Sequence, residues 1–291
     1  MTAGPEAGGA PRQVAMVVHL RREEAALLAK RAAAWLTERG HHVRLPAEDA
    51  AAVGLDEWAC PDDRLGDGLD LALSIGGDGT MLRAVDLVVT AGVPVLGVNV
   101  GHLGYLPECE PADVETALAR FLAGDYRVEE RMTLRVDTGD KYAAVLALNE
   151  AWLERAVPGQ TVNMRLCLDG TAFTTYAADG LIVSTPTGST AYNLSVRGPI
   201  LSPTLRAIVV KPVSPHQLFD FALVLGEDTD VGVEILAGRI ATLLVDGRRV
   251  GDLAPGDVVH CRASAHPARL VRFGEHDFHK ILKAKFSLAD R

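Results

Sequence analysis

Gly76-Gly77-Asp78-Gly79-Thr80 sets three glycines around one acid, between an apolar run and a helical-looking one. Glycines let backbone amides approach an anion closely, and a helix starting here turns its positive end toward that anion. An acid among phosphate-facing amides would repel phosphate, so it needs a task of its own. Coordinating a metal ion and taking a proton from an attacking hydroxyl are the two that phosphoryl chemistry offers. A tight turn with a capping Asp78 is the plain structural alternative.

Two further clusters carry polar chemistry. Asp179-Gly180 precedes Thr185-Pro186-Thr187-Gly188-Ser189-Thr190-Ala191-Tyr192-Asn193-Leu194-Ser195. Its hydroxyls, with Pro and Gly, suit the lining of a polar ligand better than a core, with a solvated loop as the alternative. Asn149-Glu150 interrupts the apolar run Ala143–Leu153. A buried amide and carboxylate need partners. A ribose hydroxyl pair is one candidate, and an internal ion pair of Glu150 with Arg155 or Arg131 is the other.

The elements that must position these residues fall into two textures. Val14–Leu20 reads as a buried strand, Arg22–Arg39 as a helix capped by Gly40, and His42–Leu45 as a short strand. Ala47–Leu65 has no clear period and reads as loop with room for one helix. Leu69–Ile75 is a strand running into the glycine turn, followed by a helix over Met81–Ala91, a strand over Val93–Val98 and a helix over Pro111–Leu122. Alternating strands and helices predict an α/β domain with a parallel sheet. From Tyr126 short β-rich stretches take over, with Asp246-Gly247 a hairpin turn, and they predict an all-β antiparallel sandwich. Phe278–Phe286 reads as a last helix. The expected division is a flexible tail over 1–13, an α/β nucleotide-binding domain over 14–125, a β-sandwich over 126–272 and a C-terminal segment over 273–291 that packs back on the first domain.

Composition narrows the setting. The 291 residues, 48% hydrophobic and 23% charged, suffice for a substantial core, and the net charge of −9 argues against nucleic acid as a partner. Cys60, Cys109, Cys167 and Cys261 lie far apart with no C-x-x-C pair, which fits thiols in a reducing compartment. No secretory signal and no membrane span are visible, so the expectation is a cytoplasmic protein without a membrane partner. His276-Asp277-Phe278-His279 reads as surface rather than a metal site.

Taken together, the G-G-D-G-T turn, the Asn149-Glu150 pair and the T-P-T-G-S-T-A-Y loop resemble the NAD kinase family, in order and spacing. Gly97–Leu106 and Pro215-His216 match as well. The glycine turn alone is shared with lipid kinases, whereas the Thr185–Tyr192 loop is far more specific. The resemblance implies transfer of the ATP γ-phosphate to the adenosine-ribose 2′-hydroxyl of NAD, giving NADP and ADP, with Mg²⁺ or another divalent cation.

It further implies that Asp78 is the catalytic base. Gly76, Gly77, Gly79 and Thr80 would face the ATP phosphates. Asp78, Gly79, Leu82, Tyr105, Asn149, Glu150, Asp179, Thr187, Thr190, Ala191, Tyr192 and Ser195 would contact NAD. No residue is assigned to the metal. A homodimer or homotetramer is implied, built through the sandwich domains. The family pattern is departed from at three places: Arg197 where a Gly is usual, Phe221-Ala222 where Arg-Pro is frequent, and Ala177 where a basic residue is common. The first two leave open a noncatalytic dinucleotide-binding paralogue or a kinase of another small hydroxyl substrate.

Overall fold

The computed structural model describes residues 10–101, 103–274 and 277–288. His102, His276 and most of the tail expected over 1–13 lie outside these. The chain divides into two compact units, one running to Glu129 and resuming at Arg269, the other spanning Glu130–Ala268.

The first unit opens with β1 (Gln13–Val18), apolar and almost wholly buried. In α1 (Glu23–Thr37) Ala25, Leu28, Ala29, Ala32, Ala33 and Leu36 form one buried stripe, and Glu23 and Glu24 sit at the positive end. Then come β2 (His42–Pro46), α2 (Ala47–Val53) and the two-residue β3 (Ala59–Cys60). The buried β4 (Leu71–Gly76) leads into α3 (Asp78–Val88), followed by β5 (Val95–Asn99), α4 (Val114–Leu122) and β6 (Arg127–Arg131). Helix α3 starts three residues before the expected Met81. The Thr80 and Met81 amides both donate to the Gly77 carbonyl, at 3.0 and 3.1 Å, so the glycine turn itself forms the first helical turn.

The second unit contains β7 (Leu134–Asp137), β8 (Val145–Ala147), β9 (Glu150–Arg155), β10 (Val162–Leu168), β11 (Thr171–Ala178) and β12 (Gly180–Ser184). After the one-turn α5 (Tyr192–Ser195) come β13 (Ala207–Val213), β14 (Leu223–Gly226), β15 (Val231–Ile235), β16 (Ala241–Val245), β17 (Arg248–Leu253) and β18 (Val258–Ala263). They form two antiparallel six-stranded sheets, ordered β11-β10-β15-β18-β7-β8 and β14-β13-β12-β9-β16-β17. Met164, Leu166, Val233 and Val259 of one sheet share a core with Leu153, Val183, Val210 and Leu243 of the other, the arrangement of a sandwich. The β16–β17 hairpin turns at Asp246-Gly247, both at positive φ (48° and 76°), as the sequence predicts.

The chain then returns to the first unit as β19 (Ala268–Arg272), parallel to β5, and α6 (Phe278–Lys285). The first unit's sheet runs β3-β2-β1-β4-β5-β19-β6, with parallel pairs from β3 through β19.

One expectation changes in a way that matters for the site. The apolar run Ala143–Leu153 is not one strand. It breaks at Leu148-Asn149, so that β8 pairs in one sheet and β9 in the other. The Leu148, Asn149 and Glu150 amides donate to the Asp246 carboxylate at 2.7, 2.8 and 3.0 Å instead of continuing one ladder.

Candidate functional site

In the first unit, β4 delivers Gly76 and α3 starts at Asp78. A Cβ on Gly76 would lie 2.7 Å from that of Thr80, so the turn admits no side chain there. Gly77, Gly79 and Thr80 line a cavity of about 520 Å³ with Val18–Arg22 and Arg83. Arg83 donates to the Val18 carbonyl at 2.7 Å and pairs with the buried Asp49, whose carboxylate also accepts the Val18 amide at 2.6 Å. Burial pushes the Asp49 carboxyl up, against the pull of Val18 and Arg83. Arg22 is anchored on the Val100 carbonyl. A helix N-terminus among arginines is the environment a polyanion needs in a chain of net charge −9. His19, Arg21, Arg22 and Arg83 were not legible as site residues. They are scattered over the β1–α1 connection and α3, with no motif spacing.

Asp78 is half-buried, and its carboxylate is fixed by backbone donors. The Tyr105 amide donates to Oδ1 at 2.9 Å and Oδ2 at 3.1 Å, and the Leu106 amide to Oδ1 at 3.0 Å. A Cβ on Gly104 would come 2.6 Å from Oδ1, so glycine is what lets this segment approach. Leu82 follows Asp78 by one turn and shares its helix face. The Tyr105 ring lies under the Lys285 ammonium, 4.2 Å from the centroid, and burial and then Asp78 push its hydroxyl up. Gly76–Thr80, Leu82 and Tyr105 are therefore grouped at one end of β4.

In the second unit the chain crosses between sheets at Asn149-Glu150 and is held from both sides. Asp246 takes the three amides, while the Asn149 carbonyl accepts from the Thr185 amide at 2.8 Å and the Ser184 hydroxyl at 3.2 Å. The Thr185 hydroxyl donates to the Leu148 carbonyl at 2.6 Å and accepts the Gly188 amide at 3.0 Å. Any Cβ at Gly188 would collide with the Asn149 carbonyl. The segment is thus no solvated loop: Ser184, Thr185, Thr187 and Ser189 are buried, the first two bonding the crossover, Thr187 taking Arg131 and Ser189 bonding the Leu201 backbone. Thr190 donates to the Thr187 carbonyl at 3.2 Å. Ala191 is half-buried, and Tyr192 and Ser195 are exposed.

Glu150 makes neither of the expected ion pairs. Arg155 bonds Asp179 instead, and Arg131 donates to the Thr187 hydroxyl at 3.3 Å. Its Oε2 is buried without a hydrogen-bond partner. Burial, and after it the Asp246 carboxylate, push Glu150 up to about 8 despite the Tyr192 amide. Asp246 is itself raised by burial. Tyr192 stands edge-on to Trp152, centroids 5.1 Å apart, and burial raises its hydroxyl, with Glu154, Asp179 and Glu150 adding to it. The second unit therefore gathers Asn149, Glu150, Asp179, Thr187, Thr190, Ala191 and Tyr192, with Ser195 at the end of α5. Asp246 was legible only as a turn residue, because its grip on the crossover is a contact between distant positions.

Arg197 has φ 61° and is exposed. This is a left-handed backbone position, which costs a residue with a β-carbon more than it would a glycine. Phe221 is 70% exposed and joins Phe173 and Phe219 in an aromatic row on the surface. Ala177 accepts the His216 amide at 2.9 Å through its carbonyl. Among the described residues no group of three His, Cys, Asp or Glu is arranged to hold a metal ion. None of the described helices is long and apolar enough to cross a membrane.

Comparison with known proteins agrees across the whole chain. Residues 14–126 match the ATP-NAD kinase N-terminal domain and residues 148–273 the ATP-NAD kinase C-terminal domain. The NAD kinase of Moorella thermoacetica is 37% identical over 94% of this chain and 89% of its own length. That of Leifsonia xyli is 45% identical over 76% and 74%. Among solved structures, yeast NADH kinase complexed with NADH superposes with a TM-score of 0.87 at 23% identity, over 97% of this chain and 89% of that one. An NAD kinase from Archaeoglobus fulgidus in complex with ATP gives 0.75 at 24% identity, over 96% and 100%. The structures share the fold, the family models and the sequence relatives cover most of the chain, and the chain belongs to the NAD kinase family.

Proposed function

We propose that the protein transfers the γ-phosphate of ATP to the 2′-hydroxyl of the adenosine ribose of NAD, giving NADP and ADP. The observation that carries this is the Asp78 carboxylate, fixed by two backbone amides at the start of α3 beside a cavity lined by glycines and arginines. In the reaction the 2′-oxygen bonds to the γ-phosphorus as the bond to the β-phosphate oxygen breaks. Asp78 orients the hydroxyl and accepts its proton late, when the oxygen has become acidic. Gly76, Gly77, Gly79 and Thr80 face the ATP phosphates, with His19, Arg21, Arg22 and Arg83 on the same cavity.

Asn149 and Glu150 hold the adenine and ribose of NAD. In the second unit Asp179, Thr187, Thr190, Ala191, Tyr192 and Ser195 complete the set of NAD contacts that the family resemblance implies, and in the first unit it assigns Gly79, Leu82 and Tyr105 to NAD. With its pKa near 8, Glu150 is mostly protonated at neutral pH and can donate to a ribose oxygen as well as accept. A divalent cation, Mg²⁺ by preference, neutralises phosphate charge when bound. A cation carried in on the phosphates suits this site, because among the described residues no group of three His, Cys, Asp or Glu is arranged to hold one.

The setting that fits is the cytoplasm, with all four cysteines free and Cys109 and Cys261 pushed up to about 12 by burial. The assembly is a homodimer or homotetramer built through the sandwich. Its exposed Phe173, Leu218, Phe219 and Phe221 form an apolar patch suited to a second copy. The catalytic assignment is tested by Asp78→Asn, which keeps the fold and NAD binding but lowers turnover about 10²–10⁴-fold. Near-normal turnover in the folded variant removes Asp78 from the mechanism.

A further inference from the structure

We propose that Arg272 is a positioning residue for Asp78, acting through the segment Tyr105–Glu108. The inference rests on Asp78 being the group beside the attacking hydroxyl. Arg272 ends β19, the strand with which the chain returns to the first unit. Its side chain is 1% exposed. Nη1 donates to the Leu106 carbonyl at 2.9 Å and to Glu108 Oε2 at 3.1 Å, and Nε donates to Glu129 Oε1 at 3.2 Å. The other Glu108 oxygen accepts the Phe273 amide at 2.8 Å, so the end of β19 and the residue after it both grip this segment.

Leu106 is the link. Arg272 takes its carbonyl while its amide is given to Asp78 Oδ1, and the Tyr105 amide spans both Asp78 oxygens. The segment is also tied to β5, with the Glu108 amide on the Gly97 carbonyl at 2.9 Å. A Cβ on Gly97 would come 2.8 Å from the Pro107 Cα, so the segment lies directly on the strand. The Asp78 carboxylate is therefore aimed by a short stretch of backbone whose own place is fixed by a guanidinium. A buried arginine between two glutamates is costly compared with apolar packing, and what it supplies is one geometry. Nε and Nη1, fixed in one plane, serve a carbonyl and two carboxylates from two separate nitrogens, a geometry that the single nitrogen of an ammonium cannot reproduce.

Arg272→Lys keeps the charge and loses the fork. The test compares kcat, KM for ATP and for NAD, and melting temperature for the wild type, R272K, D78N and the double variant. A displacement of Asp78 of the order of an ångström predicts that R272K lowers kcat about 10–100-fold. Both KM values stay within about twofold, as for an interaction made only in the transition state. In the D78N background R272K costs less than about twofold in kcat, because the carboxylate it aims has already gone. An arginine with a merely structural role multiplies the D78N defect by the factor seen in the wild type. That result overturns the proposal, and so does an unchanged kcat in R272K when D78N is crippled. If D78N itself turns over normally, the assignment of Asp78 fails and the positioning role with it, which is a different pattern. Should R272K not fold, Glu108→Gln loosens one arm of the same clamp and is read by the same comparison.

Discussion

Replacing Glu150 by glutamine has a consequence for stability that can be worked out with its sign. The folded protein holds Glu150 at a pKa of about 8, because burial and the neighbouring Asp246 penalise its charged form. In the unfolded chain a glutamate titrates at about 4.3. Between these values the folded state keeps a proton that the unfolded state has lost, so unfolding releases it and stability falls as pH rises. The contribution is fully present below the unfolded pKa and is gone above the folded one. Each unit of pH in the window costs about 1.4 kcal/mol, so from about pH 5.5 to 7.5 the wild type loses about 2.5 kcal/mol through this group alone. Glu150→Gln imitates the protonated acid and cannot lose the proton. Urea unfolding of both proteins across this range reads the difference, which cancels the titration of every other group. The expected result is a variant that gains on the wild type steadily with pH and at neutral pH still binds NAD. Parallel stability curves would mean that Glu150 is ionised in the folded protein, contrary to its raised pKa.

Two further outcomes concern positions where the chain leaves its family. Arg197→Gly relieves a left-handed residue at φ 61° and should stabilise the fold by about 1 kcal/mol while raising KM for NAD. Calorimetry and an NAD titration check it, and unchanged or tighter NAD binding places Arg197 away from the ligand. Light scattering at micromolar concentration should give a multiple of the 31.0 kDa chain mass, and Phe221→Ser should shift it toward the monomer. A monomer mass for the wild type across that range contradicts the assembly.

Local signals in the sequence carried most of the fold. The apolar run at β1, the Ala/Leu stripe of α1 and the glycines before α3 each announce an element within a few residues of its true bounds. Asp246-Gly247 announces its hairpin, because two consecutive positive φ angles leave few choices of residue. Non-local closures were not legible. Leu148-Asn149 looks like mid-strand because only Asp246, a distant partner, withdraws its amides from one ladder. The hydroxyls of Ser184, Thr185 and Ser189 look solvated because their partners are backbone atoms of Asn149, Leu148 and Leu201. The strand β11 hides behind a threonine-rich exposed face. Arg272 carries no motif at all, and only the return of β19 beside β5 brings it to the Asp78 segment.

Transfer of a phosphoryl group onto one particular hydroxyl is read by incubating the purified protein with ATP labelled in the γ-phosphate, Mg²⁺ and NAD, then locating the label. The expected product is labelled NADP that an NADP-specific dehydrogenase accepts, formed in step with ADP and lost in D78N. NAD binding without any labelled dinucleotide would contradict it, as would label on a hydroxyl other than the adenosine 2′ position.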